Sequence, residues 1–213
     1  MAMVDMHAAG EAQPDRAQAI EAFRCAIGDV ACLTSADELR VRARDFYWYS
    51  PVLDALLKDC RADIVVLPRT QEEVVRVAAA AARHRLQVTV RGGGTGNYGQ
   101  AVPLHGGVVL DTTLLDRIVD IRDGVATVQA GARLEAVLDA ARATGQQLMI
   151  YPSTMSTATI GGFIAGGSAG IGSVRHGILR ESGTMRVLRI VTLEEQPPVL
   201  TITGSDIRLG PHA

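Results

Sequence analysis

The sequence predicts an α+β fold, and three observations carry that prediction. A helix-period stretch sits between two β-branched runs over residues 64–90. Two later stretches, 116–129 and 185–203, alternate like antiparallel hairpins. Each strand–helix–strand passage runs into glycine: windows 91–107 and 161–177 hold seven of the 22 glycines each. The order strand, helix, strand, glycine loop thus occurs twice, at 64–96 and at 125–167.

Taken in order, residues 1–15 are small, polar and proline-containing, and are expected to fray. Residues 16–27 read as a helix with Ile20, Phe23 and Ile27 on one face, and 37–44 as a shorter one. Phe46-Tyr47-Trp48-Tyr49 gathers half of the aromatic residues. Two readings stay open for it, a packing patch or the wall of a ligand or partner surface. Pro51 precedes a short helix from about Val52 to Lys58. Ile64 to Leu67 is a buried strand, and Pro68 marks its end. Thr70 with Glu73 three residues on forms a capping box. The helix it opens runs to about His84, with Val74, Val77, Ala78 and Ala81 on one face. A cation at His84 would suit the helix macrodipole. A strand at 87–90 completes the β-α-β unit. Strands follow at 108–112, 116–121 and 125–129, the last two turned by Asp123-Gly124. Leu134 to Ala143 is a second amphipathic helix with Gly145 as its stop. Leu148 to Ile150 is expected to be a strand running into Pro152. Met185 to Leu193 and Val199 to Thr203 close the set as antiparallel strands.

At 213 residues the chain can form one domain or two small ones. Its 47% hydrophobic and 21% charged content is that of a globular protein. A net charge of −2 with no basic block argues against nucleic acid as a partner. No apolar run reaches the length of a membrane span, and the N-terminus lacks a signal-peptide pattern, so the expected location is cytoplasmic. Cys25, Cys32 and Cys60 are odd in number and widely spaced. That argues against a disulfide framework or a zinc site, and for reduced, mostly buried thiols.

The chemistry concentrates in the glycine loops. In the first, Arg91 and four glycines follow the strand at 87–90 within a few residues. Glycine admits positive φ and removes the Cβ that would block a ligand. Successive bare N–H groups in such a turn make an anion-binding nest. The second loop, Thr159 to Gly172, repeats the theme. Hydroxyls at Thr95, Ser156, Thr157, Thr159 and Ser168, with cations at Arg91 and Arg175, accompany the two loops. Together they point to one extended, anionic, phosphate-bearing ligand held between them. Gly94-Thr95-Gly96-Asn97-Tyr98-Gly99 matches the dinucleotide pattern G-x-G-x-x-G after a strand. That fingerprint requires a helix to begin at the loop. Here Pro103 and Gly106-Gly107 follow and then another strand, so a Rossmann site is excluded. No Gly-Lys-Ser/Thr appears, so a Walker loop is excluded too.

Three motifs carry a family resemblance. They are Arg91-Gly-Gly-Gly-Thr-Gly96, Gly106-Gly-Val-Val-Leu-Asp111, and Thr159-Ile-Gly-Gly-Phe-Ile-Ala-Gly-Gly167 with Ser173-Val-Arg-His-Gly177. In this order they resemble the FAD-binding, PCMH-type domain of the vanillyl-alcohol-oxidase flavoproteins, over about 62–206. The glycolate oxidase and D-lactate dehydrogenase branch is the nearest likeness. The resemblance implies a two-subdomain PCMH-type fold with FAD lying extended between subdomains at 61–120 and 121–207. A helical collar at 1–60 would precede them and an unstructured tail at 208–213 would follow. Arg91, Gly92, Gly93, Gly94, Thr95, Gly96 and Asn97 would wrap the pyrophosphate. Pro152, Ser153, Ser156, Thr157, Thr159, Ile160, Gly161 and Gly162 would follow the ribityl chain and flavin. Ala165, Gly166, Ser168 and Gly170 would continue that wall, with His176 and Gly177 toward the flavin face.

The chain also departs from the family pattern. Thr95 stands where relatives with covalent flavin carry histidine, and no cysteine follows Cys60, so the FAD is expected to be non-covalent. His176 stands where many relatives have tyrosine. The chain ends at Gly210-Pro-His-Ala213. Relatives continue there with a strand that completes the cradle, then a cap domain that binds substrate and supplies catalytic groups, so a truncated form of the fold is expected. The implied activity is oxidation of a 2-hydroxy acid or related alcohol with hydride transfer to FAD. The implied partners are a separate cap-domain chain or an electron acceptor. The alternative is a truncated flavin-binding module or subunit without turnover of its own.

Overall fold

The structure, a computed structural model, describes residues 16–179 and 184–203. The expected frayed start and the expected tail at 208–213 lie outside the described residues. Helix α1 (Arg16–Ile27) leads into strand β1 (Ala31–Leu33), helix α2 (Ala36–Arg42), a single 3₁₀ turn (Phe46–Tyr49) and helix α3 (Pro51–Leu57). Strand β2 (Ile64–Leu67), helix α4 (Gln71–Arg83), strand β3 (Val88–Arg91) and strand β4 (Val108–Asp111) follow. The four strands make one sheet in the order β1-β2-β4-β3. β2, β4 and β3 run parallel, and β1 is antiparallel to β2.

Both middle strands are buried at every position because both faces of the sheet are covered. Successive side chains point to opposite faces. Ile64, Val66, Val108 and Leu110 pack with Phe23 and Ile27 of α1 and Val77 and Ala81 of α4. Val65, Leu67 and Val109 belong to a second cluster with Leu39 of α2. Within the described residues of the N-terminal collar, α1 and α2 cover the sheet, and β1 extends it. Three residues are too few to show alternation, which is why β1 is not legible from sequence.

Helix α4 begins as its capping box predicts, with one shift of partner. The Thr70 hydroxyl accepts the Glu73 N–H at 3.2 Å. The Glu73 carboxylate reaches past Thr70 and accepts the Arg69 N–H at 2.6 Å.

In the second half, strands β5 (Ile118–Arg122) and β6 (Val125–Val128) form a hairpin. Asp123 and Gly124 have φ of 52° and 75°, the pair of positive values a type I′ turn requires. Helix α5 (Leu134–Ala143) buries Leu134, Val137, Leu138 and Ala141, as its 3.6-residue period predicts. The strand expected at 148–150 does not form. Leu148 and Ile150 are apolar because they pack with Leu134 and Phe163, not because they pair. Only Tyr151 makes a bridge, to Ile171. The second glycine stretch, read as loop, contains two short helices, α6 (Ile160–Ala165) and α7 (Ser173–His176). Glycine's poor helix propensity hides them in the sequence. Strands β7 (Val187–Val191) and β8 (Val199–Thr203) pair antiparallel in a sheet of their own, as expected.

The three thiols are free. Cys25 is exposed and Cys32 and Cys60 are half-buried, so the thiols are more open than the mostly buried ones expected from sequence. Burial pushes the Cys32 and Cys60 thiols up from their ordinary values. Among the described residues no helix is long and apolar enough to cross a membrane.

Val109 is fully buried at the centre of the sheet. Val109→Ala removes two methyl groups and leaves a void, which should cost on the order of 2 kcal/mol. Urea denaturation should show a lower midpoint with an unchanged slope.

Candidate functional site

The candidate site lies at the carboxyl ends of the parallel strands, where open α/β sheets bind their ligands. Arg91 closes β3, Asp111 closes β4, and the two are register partners. Parallel neighbours need a long return connection. Residues 92–107 supply it without a helix, which agrees with the exclusion of a Rossmann turn.

The two glycine loops touch. An added Cβ at Gly92 would overlap the Thr159 hydroxyl, and one at Gly93 would overlap the Thr157 carbonyl oxygen. Glycine is required at both positions for that approach. Thr159 is 2% exposed, and its hydroxyl accepts the Gly162 N–H at 3.3 Å as the N-cap of α6. One buried threonine therefore starts a helix and backs the first loop. The Thr112 hydroxyl fastens the loop's root by donating to the Arg91 carbonyl at 3.1 Å.

Arg91 is turned inward, under the loop it precedes. Its side chain lies where a Cβ on Gly94 would go, and its Nη1 donates to the Gly92 carbonyl at 3.5 Å. Its Nε is buried and has no partner among the described residues. Burial lowers the Arg91 pKa; the Asp111 carboxylate opposes that shift, Arg42 adds to it, and Asp45 opposes it. Asp111 is fully buried, takes Nη1 of Arg42 at 2.6 Å, and accepts the Thr113 N–H and hydroxyl at 2.9 and 2.5 Å. Positive charge is thus held beneath the glycines by a carboxylate that is itself fully engaged.

Backbone donors are unequally committed. In the second loop the N–H groups of Ile160, Gly161 and Gly162 are taken by Ala132, Ala130 and Thr159, and that of Gly170 by the Ser173 hydroxyl. In the first loop the N–H groups of Gly93, Gly94, Thr95, Gly96 and Asn97 meet no acceptor among the described residues. Buried or half-buried backbone donors are normally paired. A run of unpaired donors, a left-handed glycine at 94 (φ 65°) and a cation below them are what a diphosphate would satisfy. Each such charge-assisted bond is worth roughly 1.5–3 kcal/mol. The residues present therefore fit a pyrophosphate-bearing cofactor.

A third wall comes from the collar. The Phe46 N–H donates to the Gly96 carbonyl at 2.7 Å, and the Asp45 carboxylate accepts the Ala101 N–H at 3.4 Å. A cleft of about 450 Å³ opens between Arg44, Asp45, Phe46 and Trp48 on one side and Arg91, Gly93, Gly94 and Thr157 on the other. Of the two readings left open for the aromatic run, Tyr47 takes the packing one, fully buried, while Phe46 and Trp48 line the cleft.

The structure brings Arg91, Gly92, Gly93, Gly94, Thr157 and Thr159 together. Thr95 and Gly96 are half-buried and Asn97 exposed along the same loop. Ser153, Ser156, Gly162, Ala165 and Gly166 are exposed, and Pro152, Ile160 and Ser168 half-buried. Gly161 packs closely against Ala130. Gly170 likewise lies against the Tyr151 carbonyl. His176 and Gly177 close α7, and the residues just before that helix, Gly170 to Gly172, lie against Met149–Tyr151. Sequence reasoning missed Asp45, Phe46, Thr112 and Asp111 as supports. Asp45 had one visible signal, an aspartate set directly before a turn-forming aromatic run.

A family model described as an FAD binding domain matches residues 62–193. The D-lactate dehydrogenase of Archaeoglobus fulgidus is 37% identical over 146 residues, which are 68% of this chain and 32% of that protein. The glycolate oxidase subunit GlcD of Bacillus subtilis is 34% identical over 124 residues, 56% of this chain and 26% of that one. Among solved structures, an alkyldihydroxyacetonephosphate synthase has a TM-score of 0.71 at 16% identity, covering 92% of this chain and 36% of the other. A cholesterol oxidase from B. sterolicum has a TM-score of 0.60 at 22% identity, covering 82% and 33%. At these identities the structural likeness shows the fold. The chain spans about a quarter to a third of the length of these proteins.

Gly94→Val should abolish FAD binding while leaving most secondary structure intact. A branched side chain is strained at positive φ and would collide with the Arg91 guanidinium. Equilibrium dialysis with FAD, beside far-UV circular dichroism, checks this. An unchanged FAD affinity would remove the first loop from the site.

Proposed function

The chain belongs to the FAD binding domain family, and from that premise we propose that it holds FAD non-covalently for the oxidation of a 2-hydroxy acid or related alcohol. The observation that carries the cofactor reading is the run of unpaired N–H groups at 93–97, backed by the second loop. The substrate class is supported by the relatives, a D-lactate dehydrogenase and a glycolate oxidase subunit. Bound FAD supplies the two-electron acceptor for such an alcohol.

The chain's own residues bind and orient. Gly93 to Asn97 offer their N–H groups to the pyrophosphate, and Arg91 supports the loop with its charge. Thr157 and the exposed hydroxyls of Ser153 and Ser156 line the way toward the flavin end. Substrate-binding groups and the general base come from polypeptide outside the described residues, in a cap carried by this protein or by a partner chain. The second partner is an electron acceptor.

Non-covalent attachment follows from Thr95, which is no nucleophile for flavin linkage, and from the absence of cysteine beyond Cys60. Acid precipitation of flavin-loaded protein should release all yellow colour to the supernatant. Colour retained in the pellet would show a covalent bond.

The 213-residue chain loaded with FAD should show no useful turnover by itself. Rate gain from holding two reactants needs a second wall, and a general base within hydrogen-bond reach of the substrate hydroxyl. His105 is exposed in a turn, and its carbonyl accepts from Arg16. His176 ends a four-residue helix. Steady-state dye reduction across D- and L-2-hydroxy acids and simple alcohols is the test. A rate clearly above free FAD, lost in His176→Ala, would make these residues a sufficient enzyme and overturn the division of labour.

A further inference from the structure

We propose that Asp45, with the adjoining Phe46 N–H, is a positioning residue that clamps the phosphate-binding loop from the collar side and sets affinity for the pyrophosphate part of the cofactor. The inference rests on the FAD-holding reading above and goes beyond the family match, which begins only at residue 62.

Asp45 is 2% exposed. One carboxylate oxygen accepts the Tyr47 N–H at 2.8 Å, and the other accepts the Ala101 N–H at 3.4 Å. The next residue, Phe46, donates its N–H to the Gly96 carbonyl at 2.7 Å. Two consecutive collar residues thus hold both ends of segment 96–101. Beneath them Tyr47 packs with Leu57 and Val102, so the clamp is anchored in a small core of its own. The other end of the loop is pinned where Gly92 and Gly93 meet Thr157 and Thr159. The unpaired N–H groups lie between these two anchors. Fixing them before the ligand arrives removes an ordering cost that binding would otherwise bear.

The choice of a carboxylate adds a second argument. A buried carboxylate is costly unless its charge is used. Among the described residues no cation lies within ion-pair distance of Asp45, whereas Arg42 is bonded to Asp111 and Arg44 lies 3.9 Å from Asp54. Asp45 and Arg91 line the same cleft, and Asp45 favours the buried Arg91 charge, less strongly than Asp111 does. An asparagine could accept only one of these two N–H groups, through its Oδ1, since its amide nitrogen is a donor, and it would not support the cation beneath the glycines.

The test compares the full chain with Asp45→Ala and Asp45→Asn, titrated with FAD, ADP and riboflavin, beside thermal melts. ADP carries the pyrophosphate without the flavin, and riboflavin carries the flavin without phosphate. Asp45→Ala should weaken FAD and ADP by about tenfold or more, and Asp45→Asn by less, with riboflavin changed under about twofold in both. A clamp role is overturned if FAD and ADP affinities in Asp45→Ala stay within twofold of wild type. It is equally overturned if riboflavin weakens as much as ADP, since that pattern marks general loss of structure. Should Asp45→Ala fail to fold, Asp45→Asn decides: an unchanged ratio of ADP to riboflavin affinity sinks the proposal. If wild type binds FAD tightly while the variants do too, only the clamp fails. If wild type binds none of the three, the FAD-holding reading fails and the clamp with it.

Discussion

The site depends on one close approach, that of Gly92 and Gly93 to Thr157 and Thr159. The loops belong to segments about sixty residues apart, one following β3 and one preceding α6. They meet at a separation no side chain on the first loop would permit. Because the second loop commits the N–H groups of Ile160, Gly161 and Gly162 to Ala132, Ala130 and Thr159, it acts there as a rigid backing. Because the first loop does not, its donors remain available. A loop with free donors but no backing would collapse onto its own carbonyls. A loop fully bonded to its backing would have nothing left for a ligand.

Electrostatics follows the same plan. Arg91 would be poorly placed as a bare buried cation, since desolvation acts against its charge. The register of β3 and β4 sets Asp111 beside it, and α2 brings Arg42 onto that carboxylate at 2.6 Å. The charges alternate from Arg42 through Asp111 to Arg91 and are completed by Asp45. Truncating one member of such a set leaves another buried charge unbalanced, which is commonly worse than never having had the pair. The Arg91 cation under the glycines is therefore supported by the sheet's carboxyl edge and the collar together.

The N-terminal stretch gains a different meaning from this. Residues 16–57 cover both faces of the first sheet, add its outer strand, and grip the far end of the glycine loop. The family match begins after them, yet the cleft is lined from both sides of that boundary.

Much was determined by the sequence alone. Alternation and helical period are local properties of a few neighbouring residues, so α1, α4, α5, the hairpins at 118–128 and 187–203, and the capping box at Thr70 were all legible. The glycine clusters named the kind of ligand, because glycine, hydroxyl and arginine in one turn are themselves the chemistry of anion binding. Tertiary structure alone decided what presses on each glycine. Gly161 and Gly170 are small because Ala130 and Tyr151 press on them, whereas Gly92 and Gly93 are small because the other loop does. It also decided that Leu148 and Ile150 fill a core instead of pairing, and that Asp45 reaches across to Ala101. These are contacts between residues far apart in the chain. A residue's type records that it must be small, apolar or charged, but only the folded chain supplies the neighbour that makes it so.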